Sequence, residues 1–193
     1  MAETQRTKYG TARDALLRAA VTVVARHGLH GMTFRKVADE AGVHNSLVAH
    51  HFGSLSNLAA AALEWAVTVA STDSHLPNFL ESESEYKEAL WSTLDRELEV
   101  HAYQFEMILE AGRDEALRSQ IVELYARYTA DVARSMFGPE PTHAQRAVAR
   151  AVFASLDGLV LQYVGGAIDR EQLDDSVSAL WQLASSTRTT APS

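Results

Sequence analysis

The sequence predicts an all-α protein: an N-terminal three-helix head joined to a C-terminal helical body, about nine helices in all. Three observations carry this. Four Pro and ten Gly in 193 residues leave long stretches without a helix breaker. Apolar residues recur at helical spacing, as in Leu16, Ala20, Val23, Val24 and His27, which fall on one face of a helix. No strand-like run is bounded by turn signals.

The first helix is expected to begin near Thr7–Thr11, with Thr11 and Asp14 as a shortened capping box, and to end at Gly28 and Gly31. Thr33 is placed to cap a short second helix, Phe34 to Ala41. Gly42 breaks it, and a third helix runs from about His44 to His51. Ser54 is placed to cap a fourth, reaching about Ala70. The polar stretch STDSHLPNFLESES, with Pro77, reads as a loop. Helices five and six cover about Ser84 to Ala102 and then to Ala111, stopping at Gly112. Helix seven covers Asp114 to Phe137, with GPEPT as its stop. Helix eight covers Thr142 to Val164, and helix nine covers Arg170 to Ser185. The domains expected are 1–54, 55–186 and a disordered tail, 187–193.

Charge is uneven. Residues 1–55 hold seven Lys/Arg against four Asp/Glu, and five of the eight His; the rest of the chain holds ten against 21. A basic head on an acidic body is expected where the head alone meets phosphate, and solvated helix faces are the alternative. There is no Cys, which excludes disulfides and thiolate chemistry. No G-x-S-x-G, H-E-x-x-H or Walker loop occurs, so neither an enzyme, a metal nor a cofactor is expected. The N-terminus lacks the apolar segment of a signal peptide, and no apolar run approaches the roughly 20 residues of a membrane span. A cytoplasmic protein without membrane contact is expected.

The segment from Thr33 to Phe52 has the residue types of a helix-turn-helix. Ala38 is small where two helices touch, Gly42 tolerates the turn, and Val37, Ala41, Val43 and Val48 fill a small core. The stretch Leu16 to Leu58, with Gly42-Val43 through His51-Phe52 and then Gly53-Ser54, closely resembles the DNA-binding head of TetR-family transcriptional regulators. LDGLVLQYV (Leu156–Val164) looks like a dimer-forming helix of that family.

The resemblance implies that the third helix enters the major groove of double-stranded operator DNA. His44, Asn45 and Ser46 match positions nearest bases and phosphates, and the Asn45 amide suits adenine. Leu47 can touch only apolar surface, such as a thymine methyl. His50 and His51 can donate to phosphate or bases. If either does so as imidazolium, affinity should rise as pH falls from about 8 to about 6. Arg35 matches a base-reading position and is the first candidate for guanine. Thr33 and the helix it caps would hold phosphate. Lys36 and an arm carrying Arg6 and Lys8 would add unspecific attraction. Two departures stand out: Ala49 stands where many relatives carry Tyr or Arg, and Leu55 where many carry Lys. Without the resemblance, Asn45, Arg35 and the histidines also read as helix-start, solvated or packing residues.

In the body, Trp65, Trp91, Phe105, Tyr125, Tyr128 and Phe153, with His101 and Gln162, are candidates to line an effector cavity. Aromatic residues at helical spacing also read as plain core. Val152, Leu156, Leu159, Val160, Tyr163, Leu173, Val177, Leu180 and Trp181 form a broad apolar stripe, either a homodimer interface or an intrachain core. The expected function is a ligand-responsive, dimeric DNA-binding regulator, a repressor released from a palindromic operator by a small molecule. The alternative is a degenerate family member that binds ligand or protein without specific DNA binding.

Overall fold

The computed structural model describes residues 2–72 and 82–190 of the chain, with side chains described for residues 12–68, 82–115 and 117–187. The predicted loop around Pro77, the Arg6 and Lys8 side chains and residues 191–193 lie outside the described residues. The elements are α1 (Ala2–His27), a 3-10 turn (Leu29–Gly31), α2 (Phe34–Ala41), α3 (Asn45–Phe52), α4 (Leu55–Thr72), α5 (Glu83–Ala111), α6 (Glu115–Phe137), α7 (His143–Val164) and α8 (Arg170–Thr190). Among the described residues there are no strands, so the all-α reading holds.

Among the described residues eight α-helical elements stand where about nine helices were expected. The predicted fifth and sixth helices both lie within α5, which a kink divides at Glu97 rather than near Ala102. Only Glu97 leaves helical torsions, at φ −130° and ψ 30°. The α1 helix starts at Ala2, ahead of the expected Thr7–Thr11 start. Gly10 is the one weak helix former in the added turns, costing about 1 kcal/mol, and it does not stop them. The α8 helix continues through Thr187 to Thr190, where the sequence suggested a disordered tail.

The helices form two compact units: residues 1–72 with 99–121, and residues 73–98 with 122–193. In the first unit, α1 packs on α2 and α4, and α2 packs on α3. The α1 face foreseen from its periodicity, Leu16, Ala20, Val23 and Val24, is buried there, with Leu17 beside it. It meets Val37 and Ala38 of α2, Val48 and Phe52 of α3, and Leu58, Ala62 and Leu63 of α4. Val100, Tyr103, Met107 and Leu117 complete this core from α5 and α6. The Tyr103 hydroxyl donates to the Ala59 carbonyl at 2.6 Å.

In the second unit, α7 packs on α8. Thr142 opens α7 with a reciprocal capping box to Gln145. Its buried face is Ala149, Phe153, Leu156 and Val160. By length and composition alone α7 is long and apolar enough to cross a membrane, the property resting on an 18-residue stretch of it. That composition tolerates polar residues such as Asp157 and Gln162, which interrupt the run.

Candidate functional site

In the head, each turn is fixed by a residue suited to it. The Thr33 hydroxyl accepts from the Lys36 amide at 3.2 Å and starts α2. Gly42 ends α2 in the left-handed region, φ 66° and ψ 33°, where only glycine sits without strain. The Val43 amide then returns to the Ala38 carbonyl at 2.9 Å, and Ala38 is only 1 % exposed where the helices meet. A larger side chain at Ala38 would push α2 off its neighbours.

His44, expected inside the third helix, is its N-cap. Its Nδ1 accepts from the Ser46 amide at 3.4 Å and lies 3.0 Å from the Ser46 hydroxyl. The α3 helix turns Val48 and Phe52 inward and leaves His44, Asn45, Ser46, Ala49 and His50 exposed. Leu47 is half-buried against the core, as is Leu55. The lysine common at the latter position is thus replaced by a packing residue. Thr33, Arg35 and Lys36 are exposed beside this surface. The Arg35 side chain is 86 % exposed and pairs with Asp39 at 3.7 Å, one helical turn on. Such a pair contributes well under 1 kcal/mol and leaves the guanidinium free to exchange partners.

Burial, then repulsion from His50 and Arg13, hold His51 below the ordinary imidazole value of 6.5. Its charge therefore enters at lower pH than the sequence suggested. Arg13 was not foreseen as a site residue. It reaches α3 from α1, a proximity that no periodicity in either helix reveals.

The predicted effector residues divide between the two units. Trp65, His101 and Phe105 belong to the first. Trp65 borders an open recess of about 570 Å³ with Asp14, Arg18 and Glu40, and the Arg18 guanidinium lies 5.2 Å from its ring centre. The His101 Nε2 is shut from solvent without a hydrogen-bond partner among the described residues, and burial lowers the ring's pKa to about 4.

This has a consequence for stability. Below 6.5 the unfolded chain protonates His101, while the folded chain does so only near 4. Stability is therefore expected to fall as pH drops through that window, by roughly 2 kcal/mol at about pH 5. Urea unfolding at about pH 7 and pH 5 measures it. A His101→Gln variant that loses as much as the parent rules the histidine out as the cause.

In the second unit, Tyr125, Tyr128 and Phe153 come together, with ring centres 5.4 to 6.5 Å apart. The Tyr125 hydroxyl donates to Asp157 Oδ2 at 2.7 Å. Burial raises the Asp157 pKa, and this hydrogen bond only partly opposes it. No cation pairs with Asp157 among the described residues. The carboxylate escaped the sequence reading because it lies inside an apolar helix run.

Trp91 makes a separate cluster. Its indole N–H donates to Asp174 at 3.0 Å, Tyr163 meets it edge-on at 5.4 Å, and Arg170 covers it at 4.1 Å. Lys87 also pairs with Asp174. Gln162 is exposed and its amide donates to the Gly158 carbonyl of its own helix.

Of the predicted dimer residues, Leu156, Val160, Leu173 and Val177 are buried within the protomer. Val152, Leu159, Tyr163, Leu180 and Trp181 are half-buried. The exposed apolar side chains of this region are Leu161 and Leu183, at 48 % and 65 %. Ala147, Ala151, Ala154 and Gly158 continue a line of small residues to Leu161 along one side of α7. Among the described residues no group of three or more His, Asp or Glu is placed to hold a metal ion.

Residues 16–62 match the family model for bacterial regulatory proteins of the tetR family, and residues 81–183 match that for the tetracyclin repressor-like C-terminal domain. No curated protein sequence matches the chain. Among solved structures, a transcriptional regulator from Rhodococcus sp. Rha1 is 21 % identical, with 93 % of this chain and 99 % of that one covered and a TM-score of 0.77. A TetR-family member from Streptomyces coelicolor is 27 % identical, covering 88 % and 97 %, with a TM-score of 0.64. A Saccharomonospora viridis regulator in complex with choline is 20 % identical, covering 94 % and 97 %, with a TM-score of 0.69.

Proposed function

The chain belongs to the TetR family of bacterial regulatory proteins, and from that membership we propose a repressor released from a palindromic operator by a small molecule. Residues 1–54 act as its DNA-binding domain and 55–186 as its effector-binding and dimerisation domain, and the protein works in the cytoplasm, where its operator is. The observation that carries this reading is the polar, exposed face of α3, with Arg35 beside it, standing on a helix-turn-helix whose Gly42 turn has the required left-handed geometry. Asn45 takes adenine and Arg35 takes guanine. Thr33, Lys36, His44, Ser46, His50 and His51 meet phosphates or base edges, and Leu47 offers only its exposed part.

Two copies join through α7 and α8, so that two heads meet two half-sites. Leu161, Leu183 and the small-residue line of α7 support this surface. Effector binding in the body shifts α4, changes the separation of the heads and lowers operator affinity. Asp157, without a cation partner beside three aromatic rings, favours a small organic cation. The S. viridis neighbour was crystallised with choline.

The test is selection of genomic DNA fragments by the purified protein, with and without choline. One enriched palindrome is expected. No enrichment at low salt favours the degenerate-member alternative, and enrichment unchanged by choline removes choline as the effector. On the selected operator, Arg35→Ala is expected to cost about 1–3 kcal/mol and to relax preference at one base pair of each half-site. Equal losses on every sequence would assign Arg35 to phosphate instead.

A further inference from the structure

The end of α3 carries His50 and His51 but no Lys or Arg, and neither does the start of α4. Ala49 is short and Leu55 is committed to the core. The structure brings a cation there from elsewhere. Arg13, exposed on α1, places its guanidinium 5.6 Å from the centre of the Phe52 ring. Phe52 is a fixed platform. It is 7 % exposed, packed in the core, and its carbonyl accepts from the Asn57 side-chain amide at 3.0 Å. The His51 ring lies 6.0 Å from that of Phe52 and 6.0 Å from that of His50.

The two kinds of charge at this corner are not equivalent. His51 is held below the usual imidazole range by burial and by the neighbouring His50 and Arg13. At neutral pH its ring is largely uncharged. A guanidinium is charged at every accessible pH. Arg13 makes no ion pair with a carboxylate among the described residues, although Asp14 follows it directly in the chain. Contact with an aromatic face orients a guanidinium and leaves its N–H donors unspent. A long, oriented, permanently charged donor beside the recognition helix fits a phosphate oxygen.

We propose that Arg13 is a phosphate-binding residue of the DNA interface, supplying from α1 the backbone contact that Ala49 and Leu55 do not make. The inference rests on reading the head as DNA-binding. A phosphate contact carries no sequence information, so its loss weakens all duplexes alike.

The test uses the full-length protein and a short duplex of random sequence, with the selected operator beside it, titrated across a range of salt. Arg13→Ala is expected to weaken both duplexes by a similar factor, roughly tenfold at low salt, and to lower the slope of log affinity against log salt by about 0.9 per head. Arg13→Lys is expected to restore the slope, because it restores the charge. The melting temperature of both variants should stay near that of the parent, since Arg13 is exposed. An unchanged slope in Arg13→Ala overturns the proposal, as does a loss confined to one sequence, which would mark a base contact. If the parent protein binds no duplex at low salt, the reading of the head fails first and the role of Arg13 falls with it. A parent that binds while Arg13→Ala keeps its slope removes Arg13 alone.

Discussion

Replacing Gly158 with leucine is expected to leave each protomer folded, or slightly more stable, and to dissociate the proposed dimer. The two effects have opposite signs, which makes the result hard to mistake. A Cβ built at Gly158 meets nothing within 4 Å inside the protomer, so the new side chain enters open space. Glycine within a helix costs about 0.8–1.0 kcal/mol relative to alanine, and leucine recovers most of that. The protomer should therefore gain roughly 0.5–1 kcal/mol. The gap in contacts also means that nothing within the protomer requires glycine there.

In the proposed dimer, a second copy laid along the line of Ala147, Ala151, Ala154 and Gly158 would require it, because close approach of two helices needs small residues where they cross. A leucine there overpacks the contact by about 1–3 kcal/mol, and two-fold symmetry repeats the penalty. The sum, about 2–6 kcal/mol, weakens the dimer at least roughly thirtyfold. Operator affinity falls with it, since a lone head holds one half-site. Sedimentation of the parent and the variant, with melting curves for both, decides the matter. A Gly158→Leu protein that remains dimeric places the interface on another surface.

The helices were legible in the sequence because their signals are local. Thr33 and Gly42 act on residues three or four positions away, and the structure places that cap and that turn where the pattern asked for them. The division of α5 was foreseen but misplaced, at about Ala102 rather than at Glu97. The kink at Glu97 carries no breaker residue, so no local signal fixed its place. What is distant in the chain was not legible. Arg13 over Phe52, Tyr125 on Asp157 and Tyr163 against Trp91 each join separate helices. Apolar periodicity tells which face of a helix leaves water. It does not tell whether the cover is the same chain or another copy, and so Leu156, Val160, Leu173 and Val177 were grouped with side chains that stay partly exposed.

Tyr103→Ala is expected to be among the most destabilising single changes in the first unit, at about 3–5 kcal/mol. Two kinds of contact hold the α5 stretch from Glu99 onward to the helices of the head, and their magnitudes differ. One is polar. Glu99 accepts from the Thr22 hydroxyl at 2.6 Å and from Arg26 at 2.9 Å, and Arg26 also approaches Glu40 of α2 at 3.6 Å. Arg26 and Glu99 are 55 % and 42 % exposed, so solvent screens the pair and it contributes about 1 kcal/mol or less. The other is Tyr103, fully buried, with its hydroxyl on the Ala59 carbonyl in the middle of α4. Burial pushes the phenol's pKa up, so it remains a donor at every pH the fold survives. Tyr103→Ala removes the ring and leaves a cavity. Tyr103→Phe removes one hydrogen bond, about 1 kcal/mol, and keeps the packing. If aromatic packing fixes this stretch, the alanine variant should melt roughly 6–20 °C below the parent and the phenylalanine variant only a few degrees below. A Glu99→Gln variant should fall at least as little as the latter. If Glu99→Gln instead matches Tyr103→Ala, the polar contacts hold α5 in place, and a signal reaching α4 would have to pass through Arg26 rather than through the core.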